Sequence, residues 1–138
     1  FINVEYPEKI TIGEDALVFF QLVAFSKEIK IINQYLYTYI QHSASVSHIR
    51  SLDKCHDGLK SAIYIQKFLH THSNVEKKYL DSLFLLFFSN SLRRGLLKRS
   101  DIFFQKIKCS INLKALKMLP LKKIVIILIG FIITGLNF

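Results

Sequence analysis

At 138 residues the chain is long enough for one domain with a core of its own, and a hydrophobic content of 51% with 12 Phe excludes intrinsic disorder. A net charge of +9 would ordinarily raise nucleic acid or an anionic membrane as partner, but the charge is unevenly placed. Residues 1–92 hold nine Lys and Arg against nine Asp and Glu, whereas residues 93–123 hold ten against Asp101 alone, so the whole excess lies in one segment.

In chain order, Tyr6-Pro7-Glu8-Lys9 reads as a turn, because proline disfavours helix at the residue before it. Ile10-Thr11-Ile12 then alternates like a short strand. A helix is predicted over about residues 14–26, with Leu17, Phe20, Gln21, Ala24 and Phe25 at helical spacing and Glu14 and Asp15 in the first turn, where the macrodipole favours negative charge. Residues 29–32 and 35–40 read as two further short strands, the second alternating Tyr35, Tyr37 and Tyr39 with Leu36, Thr38 and Ile40. The chain begins inside an extended segment and reads as the C-terminal piece of something longer.

Residues 52–98 look helical. Leu59, Ala62, Ile63 and Leu69 trace one face of a helix that ends near the polar break at residues 70–74. A second helix, from about Val75, carries the apolar block of residues 83–88, whose all-round hydrophobicity predicts burial against more than one neighbour.

In residues 99–138 Ile102, Phe103, Ile107, Ile111, Leu113, Leu116 and Leu119 are interleaved with lysines, and Pro120 breaks the pattern. Lys122-Lys123 then precede residues 124–138, fifteen residues without a charge. As a helix this run spans roughly 22 Å, short of the ~30 Å hydrocarbon core. A basic amphipathic segment lies in a membrane interface more naturally than it crosses one, so a peripheral anchor is expected; the alternative is a buried final helix or strand of the domain. The divisions expected are 1–50, 51–98 and 99–138.

Few residues carry recognisable chemistry. Glu14 and Asp15 can serve as helix-start acids, each stabilising by about 0.3–1 kcal/mol, or as an acid/base pair beside a glycine that admits close approach of another backbone or a substrate. His48, Cys55 and His56 lack the companion ligands of a zinc site, and His70 and His72 sit in a polar break. No P-loop, nucleophile elbow, dinucleotide fingerprint or Asp-x-Asp occurs. Cys55 and Cys109 are too few and too distant for a disulfide framework and suit a reducing cytoplasm, with a lone pairing left open.

The succession of Ile10-Thr11-Ile12, Gly13-Glu14-Asp15, the helix, a hydrophobic strand and Tyr37-Thr38-Tyr39-Ile40-Gln41-His42 followed by Ser45-Val46-Ser47 resembles the second half of the catalytic domain of bacterial family-two glycosyltransferases of GT-A fold. The likeness covers roughly residues 1–48, about a third of the chain. It implies an α+β fold, mainly α-helical, with the short strands and catalytic helix of such a domain followed by a helical extension. It also implies an inverting transfer from a nucleotide-sugar donor to a hydroxyl of a glycan or lipid-linked acceptor in surface-polysaccharide synthesis.

By the same resemblance Asp15 is the general base and Glu14 orients the acceptor or holds the loop. His42 and Ser45 lie near the donor diphosphate or metal, and Ser47 is a loop or cap residue beside them. Tyr37 and Tyr39 are packing residues. The divalent cation, Mg or Mn, would be bound mainly by residues outside this chain, where the donor-binding half would also lie, leaving the fragment inactive alone. The expected setting is cytoplasmic, peripheral at an anionic inner membrane. The competing reading is a helical binding module whose basic segment contacts nucleic acid or an acidic partner; against nucleic acid, the lysines alternate with aliphatics rather than base-stacking aromatics.

Overall fold

The computed structural model describes residues 4, 9–38, 40, 51–93, 97–98 and 100–134. Among them six helices follow one another: α1 Glu14–Phe25, α2 Leu52–His72, α3 Lys77–Leu92, α4 Ile102–Ser110, α5 Leu113–Leu116 and α6 Leu121–Thr134. Side-chain caps fix several starts. The Ser51 hydroxyl accepts from the Lys54 amide at 3.2 Å, Asp101 from Phe103 at 3.1 Å and Asn112 from Ala115 at 2.8 Å, each satisfying an amide that the first turn leaves unpaired. Pro120 separates α5 from α6, and its carbonyl accepts from the Lys123 amide at 2.8 Å.

Helix α3 is the central element. It packs along α2 on one side and takes α4, α5 and α6 on the other, while α1 lies on α2. The all-round apolar block supplies this double contact: Phe84, Leu85 and Phe88 are fully buried. The Phe88 ring meets Phe104 edge-on at 5.3 Å and Phe131 of α6 at 6.3 Å. Each such ring removed from water contributes about 1.5–3 kcal/mol. A second cluster, Leu17, Ile65, Leu69 and Leu80, joins α1 to α2 and α3. Cys55 is buried in α2 and Cys109 exposed on α4, and the two are not bonded to each other.

The expected α+β fold is not formed: among the described residues there is helix and irregular chain but no strand. A strand needs a neighbour for its amides and carbonyls, and every element among the described residues is a helix. Residues 10–12 instead give their polar groups to side chains of α2. Residues 29–32 and the described part of 35–40 keep their alternation without a strand partner among the described residues, with Ile31 91%, Tyr35 106% and Tyr37 81% exposed. Tyr37 is therefore not the packing residue expected, since no described surface covers it. Tyr39 lies outside the described residues.

Residues 124–134 of the charge-free run lie in α6, where Ile127 and Phe131 are buried against the body of the protein. No helix among the described residues is long and apolar enough to cross a membrane.

Candidate functional site

Glycine 13 decides how α1 begins. Its φ of 83° lies in the left-handed region, where a side chain is strained, and a Cβ there would stand 2.9 Å from the Phe87 ring and 3.1 Å from the Ser61 Cβ. The chain thus reaches α1 through a gap that only glycine fits, and Glu14 and Asp15 follow at once as the first helical residues. Asp15 is exposed and Glu14 half-buried. Asp15 Oδ1 accepts from the Ala16 amide at 2.7 Å, which fixes the carboxylate at the positive end of the helix.

Helix α2 clamps the residues leading into this turn. Asp57 Oδ2 accepts from the Thr11 hydroxyl at 2.8 Å and more loosely from the Thr11 amide at 3.4 Å. The Ser61 hydroxyl donates to the Ile12 carbonyl at 2.7 Å. Lys54 donates to the Thr11 hydroxyl from one turn earlier, and Gly58 lets the Ile12 side chain come to 3.4 Å from where its Cβ would be. Asp57 is 9% exposed and Ser61 fully buried, so these bonds work in a low-dielectric setting where their loss is costly.

The order of the acids follows from this frame: a glycine held against α2, a half-buried Glu14, and a solvent-facing Asp15 carboxylate able to take a proton from a group arriving from outside. Three grooves among the described residues, one of about 420 Å³ lined by Phe20, Leu69, Leu83 and Met118 among others, include neither acid. Of the other expected site residues, His42, Ser45 and Ser47 lie outside the described residues. Among the described residues no group of three His, Cys, Asp or Glu is placed to hold a metal ion, so the implied divalent cation finds no ligand set here and no step below passes through one.

His56 has a structural place: its Nε2 meets Asp101 Oδ2 at 2.5 Å and its ring lies 5.1 Å from Phe103, tying the α4 cap to α2. Sequence reasoning missed Asp57 and Ser61. Their signal was present, two polar residues one turn apart in a stripe otherwise made of Cys55, Gly58, Leu59 and Ala62. No family model, curated protein or solved structure matches the chain.

Proposed function

We propose that the chain is the acceptor-side part of an inverting glycosyltransferase, with Asp15 as its general base. Asp15 takes the proton of an acceptor hydroxyl as that oxygen bonds to the anomeric carbon of a nucleotide sugar. The bond from that carbon to the diphosphate breaks, and the nucleoside diphosphate leaves with the electron pair. Such proton acceptance is worth about 10² to 10⁴ in rate. Glu14, half-buried beside it, orients the acceptor or steadies the turn.

The observation that supports this reading most is the exposed carboxylate on a glycine turn clamped from α2: a base kept in one position before substrate arrives. The donor site and the second wall of the cleft belong to another part of the enzyme, and the apolar side chains exposed between residues 29 and 40 offer it a contact surface. The basic segment brings the enzyme to an anionic membrane that carries a lipid-linked acceptor, so the proposed setting is peripheral at the inner face of that membrane.

In the full enzyme Asp15→Asn removes the base while keeping the size and the Ala16 contact. Sugar transfer should fall by at least about 10²-fold with thermal stability and donor binding retained. Near-normal turnover would take Asp15 out of the role. The all-helical body with its cationic end also suits a binding module without catalysis, and a full enzyme with no sugar-transfer activity at all would favour that reading.

A further inference from the structure

Helix α6 is apolar on two sides, and only one of them is used. Ile127 and Phe131 are buried toward the body, and Gly130 gives its space to Leu92 of α3, whose Cδ1 lies 2.6 Å from where a Cβ would be. Leu121, Val125, Leu128, Ile129, Ile132 and Ile133 are exposed, Ile132 and Ile133 to 77% and 78%. Leu121, Val125, Leu128 or Ile129, and Ile132 or Ile133 recur every three or four residues, so the six form one continuous outward stripe along the helix.

Cations gather at the N-terminal end of that stripe. Lys122 is exposed at its margin, and Lys117, which follows α5, is exposed shortly before Pro120 beside the exposed Met118, whereas Lys114 lines a separate groove with Glu76, Lys77 and Asp81. Lys123 donates to Asn90 and stands near Arg93 and Lys122, whose like charges, after burial, push its ammonium below the usual lysine range. From Ile124 to Thr134 the helix has no charge at all.

We propose that the outward stripe of α6 docks on an anionic phospholipid surface, the helix lying in the plane of the bilayer with Lys117 and Lys122 at headgroup level. The inference rests on the membrane association proposed above and adds the face that makes it. Charge complementarity selects the occupant. An aliphatic stripe headed by lysines matches acyl chains beneath anionic headgroups, and at 14 residues α6 covers only one leaflet's depth if it tilts. In a second copy meeting through the same stripe, residues 93–123 offer the lysines one acid, Asp101, and it is engaged with His56. Nucleic acid would find aliphatic rather than aromatic side chains between the lysines, and Phe131 is turned inward.

The test is flotation of the whole chain with vesicles of phosphatidylcholine alone and of equal parts phosphatidylcholine and phosphatidylglycerol. Binding should require phosphatidylglycerol and weaken with salt. Ile132→Glu should lower it about ten-fold or more while Ile132→Leu keeps it, both variants retaining wild-type helical circular dichroism. Lys117→Ala and Lys122→Ala should each lower it about five-fold. The chain has no tryptophan, so Ile129→Trp gives a single reporter whose emission should shift to the blue on phosphatidylglycerol vesicles.

Vesicle binding that Ile132→Glu leaves unchanged would overturn the choice of face while the membrane association survives. No binding to either vesicle would overturn both. Self-association lost in Ile132→Glu without vesicle binding would assign the stripe to a second copy, and nucleic-acid binding lost in the lysine variants without vesicle binding would assign the basic end to nucleic acid. Asp15→Asn should float like the wild type, which keeps this outcome apart from that of the sugar chemistry.

Discussion

At the entrance to α1, charge and backbone polarity are answered from within the protein: Asp57 and Ser61 of α2 take up Thr11 and Ile12, and Asp15 is fixed by its own helix. At the α5–α6 end the backbone is capped and Lys123 reaches Asn90, but the cations there are crowded by one another. Lys123 stands near Arg93 and Lys122 with like charges, and a continuous apolar stripe faces outward beside them. The first arrangement is complete before a ligand comes and costs nothing further to organise, as a catalytic base requires. The second becomes favourable only when an anionic, apolar surface meets it. In the readings proposed above, one end holds a group still and the other is covered.

Breaking the first end should have the largest effect. Gly13→Val forces a β-branched residue into a left-handed conformation and drives its side chain into Phe87 and Ser61. A loss of about 3 kcal/mol or more is expected, read from the urea midpoint, and sugar transfer by the full enzyme should fall with it as Asp15 moves. A variant as stable as wild type would show that the turn is not clamped. A smaller effect is expected from Asp57→Ala, which takes the acceptor from Thr11 and should cost about 1–2 kcal/mol. If Asp57 positions the turn, turnover should also drop while vesicle binding is untouched. A stability loss with unchanged turnover would confine Asp57 to the scaffold.

The two ends also differ in how far they could be read from sequence. Residues 83–88, apolar on all sides, announced a helix buried on two faces, and α3 is that helix. The glycine-acid start of α1 and the break at Pro120 were equally plain, because caps, prolines and first-turn acids are local signals. Residues 10–12 and 29–40 misled, since period-two alternation reports an extended tendency while strand formation depends on a neighbour that the residues themselves cannot specify. The clamp from Asp57 and Ser61 was hidden for a related reason. It joins positions some forty-five or more residues apart, and only folding brings them together. The outward stripe of α6 was visible as apolar, but which side α3 would cover was decided by Leu92 against Gly130 and by the Phe88 and Phe131 rings.

The smallest expected effect tests the open end directly. Burial lowers the proton affinity of Lys123 first, and the cations Arg93 and Lys122 lower it further. Its folded-state pKa therefore lies below its unfolded one, so the unfolded chain holds this proton over a wider pH range. Below both values the folded protein bears the cost of a crowded ammonium. As pH rises through the folded value that cost is relieved and stability gains relative to a chain without the charge. Lys123→Met keeps the length of the side chain and removes the charge along with its donation to Asn90. At neutral pH and low salt the variant should be more stable by a few tenths of a kcal/mol, within about 0.5 kcal/mol. Its advantage should shrink with added salt, which screens Arg93 and Lys122, and shrink again at alkaline pH, where the wild-type lysine loses its proton. Urea midpoints at two salt concentrations and two pH values measure all three. A Lys123→Met variant that is less stable at neutral pH would mean that the Asn90 contact outweighs the crowding, and the contrast between an end satisfied from within and an end awaiting an anion would fail at its cationic side.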